Sequence, residues 1–93
     1  MNAWILFADP LCAKIFFKKD NRSPAVLYRK ITRRKPKPTE IFLKYVAEEI
    51  DLACGAGTRN ELIVLGKRPL VSRLVAKLGP EARSHLVHAI STA

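Results

Sequence analysis

The sequence has no apolar run long enough to cross a bilayer. Its longest run, residues 3–8, is far shorter than the ~20 residues that a transmembrane helix needs. An export signal carries a cationic segment before its apolar run, and no such segment precedes this run. We therefore expect no membrane span and a cytoplasmic location.

Cysteine is also scarce. Only Cys12 and Cys54 are present, and they do not form a C-x-x-C motif. Small secreted domains usually carry several disulfides, so this usage fits a reducing compartment. We expect both cysteines to be reduced thiols that pack as small hydrophobic side chains.

The length of the chain predicts one domain over residues 1–93. A 93-residue chain with 48% apolar content can form one hydrophobic core but is too short for two. Its formal net charge is +9, and the whole excess lies in residues 14–44, which hold eleven lysines and arginines against two acids. Such a localised charge attracts phosphate-bearing partners or acidic protein surfaces, although a solubilising surface has the same composition.

Three β-strands are predicted in the first third of the chain. The first has consecutive apolar residues, as in a strand covered on both faces, and the second alternates with period two. The third carries Arg29 and Lys30, which are typical of an edge strand. Its packing residues are predicted to be Val26, Leu27, Tyr28 and Ile31. The predicted strand bounds are residues 4–8, 12–19 and 25–32.

Residues 33–38 combine two prolines with four cations, which predicts an irregular linker. Thr39 is placed to cap the helix that follows, with Glu40 in the first turn, where the helix dipole favours a carboxylate. Gly55 or Gly57 is expected to end this helix. Its apolar stripe consists of Phe42, Val46, Ile50 and Ala53, with Tyr45 alongside.

The last third predicts a buried parallel strand, a helix and a final strand. Residues 62–65 are an unbroken apolar run, and Pro69 suits the first turn of a helix that ends before residues 79–80. Residues 81–84 are expected to add one turn, and residues 85–90 to form the last strand. The core face of the helix is predicted to be Leu70, Val71, Leu74, Val75 and Leu78.

The predicted order is therefore β-β-β-α-β-α-β, an α/β fold with two main helices. Short hairpins followed by right-handed crossovers give a mixed five-stranded sheet in the order 3-2-1-4-5, with only the second strand antiparallel. This is the ribonuclease H-like plan.

Two parts of the sequence resemble the bacterial host attachment proteins, which are required for attachment to host cells. Residues 5–9 and 13–16 are similar to that family's N-terminal hairpin, a hydrophobic strand ending in Ala-Asp and a strand ending in Phe. The helix around Phe42, residues 61–65 and residues 70–83 are similar to its C-terminal half.

The resemblance implies a ribonuclease H-like fold, because that family is related to the middle domain of archaeal and eukaryotic peptide-chain release factors. It also implies a link to RNA or the ribosome. The Gly-Gly-Gln loop of release factors does not occur here, and residues 33–38 replace a longer polar segment of the family. Peptide release is therefore not expected.

No set of residues predicts a catalytic or metal site. Asp9 ends the first strand, but Gly66-Lys67-Arg68 stands where a two-metal nuclease needs a second carboxylate, so we interpret Asp9 as a turn residue. His85 and His88 are three residues apart, so in a strand they would point to opposite faces, and they are expected to be structural. No cofactor is predicted.

Two groups of cations remain as binding candidates. The first is a polyanion-binding set whose affinity should depend on salt, as counterion release requires. Its members are Arg29, Lys30, Arg33, Arg34, Lys35 and Lys37. The second is a candidate anion site at Lys67 and Arg68, where a strand end meets a helix N-terminus.

The leading hypothesis is a non-catalytic module that binds RNA, the ribosome or another polyanion through the basic linker and edge strand. A second hypothesis is a protein-interaction or regulatory role in host or surface attachment, without nucleic acid and with an acidic protein surface as partner. A ribonuclease H-like hydrolase is the third. The sequence does not identify the oligomeric state.

Overall fold

The computed structural model describes residues 2–20, 22–33, 39–55 and 60–92. Five strands and three helices follow one another in nearly the predicted order, with the extra turn as a short third helix. The elements are β1 (Asn2–Ala8), β2 (Cys12–Lys18), β3 (Val26–Thr32), α1 (Thr39–Gly55), β4 (Asn60–Lys67), α2 (Arg68–Lys77), α3 (Pro80–His85) and β5 (Leu86–Thr92).

The strands form one mixed sheet in the order β3-β2-β1-β4-β5, which confirms the predicted topology and the ribonuclease H-like plan. Strand β2 pairs antiparallel with β1 and β3, while β1, β4 and β5 pair in parallel. The carboxyl ends of four strands therefore meet at one edge of the sheet.

The three helices form a single layer. Glu40 in α1 makes ion pairs with Arg73 (3.6 Å) and Lys77 (2.8 Å) of α2, and Lys77 holds the pKa of this carboxyl below its usual range. An Asp51 carboxylate oxygen in α1 accepts a hydrogen bond from the backbone N–H of Ala82 in α3 (2.8 Å). Both crossovers advance toward β5, and right-handed crossovers that advance in one direction place their helices on the same face.

The core lies between this helix layer and one face of the sheet. Trp4, Leu6 and Ala8 of β1 are buried there, but Phe7 points to the other face and is 45% exposed. The prediction that the first strand is covered on both faces is therefore wrong, because the helices lie on one side only. The largest side chains that are fully buried in this core are those of Leu6, Ile15, Leu43, Val46, Ile50, Cys54, Leu62, Val64 and Leu74.

Strand β3 is the edge strand that its charges predicted, but it packs less than expected. Only Ile31 of its four predicted packing residues is buried, while Val26, Leu27 and Tyr28 are each at least 50% exposed. The helix layer covers the centre of the sheet and contacts this margin near Ile31 and at Arg29. The apolar residues of β3 therefore predicted more burial than this edge strand has.

A register shift between β2 and β3 changes the orientation of Tyr28. Ile15 pairs with Arg29 and Phe16 pairs with Leu27, so Tyr28 is an extra residue in β3, as in a β-bulge. The bulge directs both Tyr28 and Arg29 to the helix side. There the Tyr28 ring meets the Trp4 ring edge-on, with centroids 4.8 Å apart.

The C-terminal half confirms most of its predicted elements. Strand β4 lies between β1 and β5, Pro69 is in the first turn of α2, and α3 follows at Pro80. His85 ends α3 rather than starting the last strand, so the two histidines lie on different elements. No helix in the described ranges has both the length and the apolar character needed to span a membrane.

Helix α1 ends at Gly55, one of its two predicted stops, whereas Gly57 lies outside the described residues. Phe42, Val46, Ile50 and Ala53 of the predicted stripe are buried, but Tyr45 is 42% exposed. Tyr45 lies at the margin of the stripe, at the edge of the helix surface that packs on the sheet. Neither cysteine is in a disulfide; Cys54 is buried and Cys12 half-buried.

Candidate functional site

A groove of about 350 Å³ separates the edge strand β3 from the start of α1. We call it the basic groove, because three of the six predicted polyanion-binding residues line it. Arg34, Lys35 and Lys37 lie outside the described residues. The groove is lined by Arg29, Lys30, Ile31, Thr32, Arg33, Ile41, Phe42 and Tyr45.

Arg33 is anchored at the carboxyl end of β3. Its backbone N–H donates to the Leu11 carbonyl oxygen (2.8 Å), and its guanidinium donates to the Thr39 hydroxyl oxygen (2.6 Å). Thr39 was predicted to cap α1, but it is the first residue of the helix and accepts this bond instead. A guanidinium has five N–H donors, so Arg33 keeps donors for a phosphate after the bond to Thr39.

Arg29 forms one wall of the groove and is partly neutralised. One of its guanidinium nitrogens lies 3.2 Å from a Glu49 carboxylate oxygen, and another donates to the Tyr45 hydroxyl (3.3 Å). Both partners belong to α1, so Arg29 ties the edge strand to the helix. Its charge is less available to a ligand than that of Arg33, which makes no ion pair with any described residue.

Lys30 extends positive charge to the opposite side of β3. It pairs in register with Lys14 of β2, and both side chains are exposed. Like charges placed directly opposite each other on neighbouring strands repel. An anion bound at this edge would relieve that repulsion.

Aromatic side chains are exposed beside these cations. Tyr45 lines the groove, and Tyr28 on the same side of β3 is 58% exposed. Both rings were predicted to pack. The bulge brings Tyr28 to the surface, and the position of Tyr45 at the margin of the stripe leaves that ring exposed.

The candidate anion site at Lys67 and Arg68 is separate from the groove. Both residues lie where β4 ends and α2 begins, beside the point where the strand order reverses. Three strand spacings, about 14 Å, separate β4 from β3. Pro69 removes one N–H from the first turn of α2, and Asp9 places an acid at the end of the adjacent strand. This site stays a prediction.

Asp9 has the turn role that was predicted for it. Its carboxylate accepts a hydrogen bond from the Leu11 backbone N–H (3.0 Å), and its own N–H donates to the Cys12 carbonyl (3.0 Å). Within the described ranges, no three His, Cys, Asp or Glu side chains converge as a metal site. That the protein lacks catalytic activity remains a prediction.

Comparison with solved structures identifies the fold. The archaeal translation termination factor aRF1 superposes with a TM-score of 0.80 at 17% identity, covering 99% of this chain and 30% of that one. A structure described as an archaeal protein has the same TM-score and identity, with 99% and 29% coverage. RuvC from Thermus thermophilus superposes at 0.65 with 7% identity, covering 97% and 62%.

These likenesses show a ribonuclease H-like fold shared with part of a release factor. The chain spans about 30% of the length of the archaeal structures it matches. No protein-family model matches it, and neither does any curated protein. The resemblance to host attachment proteins therefore stays a prediction.

Proposed function

We propose that this chain is a non-catalytic module that binds single-stranded RNA, free or within the ribosome, through the basic groove. The observation that carries the proposal is the pairing of an anchored Arg33 with an exposed aromatic ring, Tyr45, in one groove. Cations bind the phosphates of a nucleic-acid strand, and aromatic rings stack on its unpaired bases.

The electrostatics of the edge strand support a polyanion. Lys30 and Lys14 are adjacent on its far side, and Arg33 lies at its end. Glu49 offsets only Arg29. A polyanion that follows β3 would therefore meet cations on both sides of the strand, and its binding would weaken as salt rises.

The fold supports translation as the setting. One structure with this fold is named as an archaeal translation termination factor. In this chain, the fold that it shares with part of such a factor is the scaffold, and the basic groove on that scaffold supplies the side chains that bind. An acidic protein surface is the alternative partner, and it requires the cations but not the tyrosine.

The test is a titration of a fluorescent single-stranded RNA oligonucleotide with the protein at several salt concentrations. Reversing Lys30 and Arg33 to glutamate should weaken binding at least tenfold and make the salt dependence less steep by about one to two ion equivalents. Tyr45→Ala should weaken RNA binding about fivefold to a hundredfold through lost stacking.

The double variant Lys19→Glu with Arg22→Glu is the matched control, because it changes the net charge as much as Lys30→Glu with Arg33→Glu does. Both residues are exposed near the far end of the β2–β3 hairpin, and Lys19 lies about 26 Å from Arg33 at the rise of a β-strand. This variant should bind within twofold of the wild type. Equal losses from equal changes of net charge anywhere on the chain, or wild-type affinity that ignores salt, would contradict the proposal.

Two further readouts separate the alternatives. An acidic peptide that competes for the groove equally well in the wild type and in Tyr45→Ala would favour a protein partner. Cleavage of the oligonucleotide that requires a divalent metal would favour the hydrolase. Pulldown from lysate with and without nuclease treatment shows whether partners are held through RNA.

A further inference from the structure

The face of the sheet opposite the helices is apolar at its centre, and no described element covers it. Phe7 is 45% exposed on this face, and its neighbours there are half-buried. We call this surface the open face. Its central side chains are those of Ile5, Phe7, Phe16, Ile63 and Leu65.

The composition of the two central strands fits a sheet with a second cover. Strands β1 and β4 are apolar at consecutive positions, which is typical of parallel strands covered on both faces. Here both crossovers place their helices on one side, so only one face of each strand is covered. The outward residues Ile5, Ile63 and Leu65 are more apolar than a solvent-facing sheet needs.

Cations flank the apolar centre. Lys14 lies opposite Phe7 in the register of β1 and β2, and Lys18 lies opposite Ala3. Lys30 of β3 lies opposite Lys14 on the same face. Lys67 follows Ile63 and Leu65 on the same face of β4. Glu61 is the one acid that the alternation of the described strands places on this face. The open face is therefore an apolar strip bordered by positive charge.

We propose that the open face docks an amphipathic helix of a partner protein, with acidic residues on both sides of its apolar stripe. A helix is about 10 Å wide and fits on a five-stranded sheet that is about 19 Å across. Its apolar stripe would cover Phe7 and its neighbours, and its carboxylates would meet Lys14, Lys18 and Lys67. Helices of this kind bind apolar surfaces through residues spaced three and four apart.

Two other occupants fit less well. A second copy of this chain would bring the four lysines of one face, Lys14, Lys18, Lys30 and Lys67, against those of the other, with a single glutamate on each side. Single-stranded RNA stacks on exposed aromatic rings, and of the two phenylalanines at the centre of the open face only Phe7 is exposed, while Phe16 is half-buried. The charge and the composition together select an acidic helix.

The experiment uses the full chain and two labelled 18-residue model helices. Both peptides carry the same leucine stripe; glutamates flank it in one and lysines in the other. The glutamate peptide should bind at least tenfold more tightly than the lysine peptide. Phe7→Gln should weaken that binding at least tenfold, and so should the double variant Lys14→Glu with Lys67→Glu, which leaves the apolar strip intact.

Leu52→Gln is the matched control for the loss of an exposed apolar side chain. Leu52 is 73% exposed on α1, within the helix layer, so this variant should bind the glutamate peptide within twofold of the wild type. Thermal unfolding of each variant shows whether a loss of binding reflects a loss of fold. RNA binding at the basic groove should be unchanged in Phe7→Gln, so the two proposals fail separately.

Three outcomes would overturn the inference. The first is equal affinity for both peptides, or none for either. The second is a dimer in sedimentation that Phe7→Gln converts to a monomer, because the open face would then bind a second copy. The third is that single-stranded RNA displaces the glutamate peptide equally well from the wild-type protein and from the Arg33→Glu variant, because RNA would then bind the open face itself.

Discussion

Asp51 should be coupled to Gly79 through the start of α3. Its carboxylate reaches from α1 to the backbone N–H of Ala82 (2.8 Å), and a Cβ built on Gly79 would lie 2.6 Å from the same oxygen. Gly79 has φ −73°, which alanine adopts without strain. Glycine is therefore required for space and not for backbone conformation.

The expected energies follow from this contact. Asp51→Ala removes a charge-assisted cap of α3 and should lower the free energy of unfolding by about 1–2 kcal/mol. Gly79→Ala should cost about as much, because the carboxylate must retreat about 1 Å to reach ordinary contact and then loses Ala82. With Asp51 already removed, the same Gly79→Ala change should be neutral or stabilise by about 0.5 kcal/mol, since alanine restricts the unfolded chain.

The assay is urea unfolding of the wild type, both single variants and the double variant, followed by circular dichroism. The coupling energy should be about 1–2 kcal/mol in favour of the double variant. In thermal unfolding, each single variant should lose about 4–8 °C per kcal/mol for a chain of this size. Additive losses would show that the two residues do not share the Ala82 contact.

Two further changes test the packing. Gly66 has φ +155°, and an added Cβ would lie 2.5 Å from the Ala8 carbonyl oxygen, so Gly66→Ala should cost about 2–4 kcal/mol in urea unfolding; a loss below 1 kcal/mol would contradict this. Burial, with a smaller effect from the Asp51 carboxylate, raises the pKa of Cys54 to about 11. A thiol reagent at pH 8 should therefore modify only Cys12 in the folded chain and both thiols in denaturant. The free energy of unfolding should fall as pH rises from 9 to 11, because the Cys54 thiol then loses its proton more readily in the unfolded chain. Rapid modification of Cys54 without unfolding would refute that interpretation.

The candidate site was predictable in part. The run of cations in the sequence placed Arg29, Lys30 and Arg33 along β3 and at its end, where charge protects an edge strand from pairing with other sheets. That these residues bind a polyanion stays a prediction. The neutralisation of Arg29 by Glu49 was not predictable, because these residues are far apart in sequence and meet only once α1 packs beside β3. The same packing turned Thr39 from a cap into an acceptor for Arg33.

The exposure of the aromatic rings had no simple signal either. Tyr28 occupies its position because β3 has one more residue than β2 in the paired region. A bulge depends on how two strands align, and alternation within one strand does not report it. Tyr45 stands one residue from the buried Val46, so its place at the margin of the stripe depended on the rotation of α1 over the sheet.

The order of the elements and of the strands could be predicted, because apolar periodicity is local and short right-handed connections permit few topologies. The folded structure was needed to show that the consecutive apolar residues of β1 are covered on one face, since such a run is equally suited to one cover or two. It also decided which cations keep their charge available, because ion pairs form between residues that only folding brings together. The basic groove and the open face are both consequences of that packing.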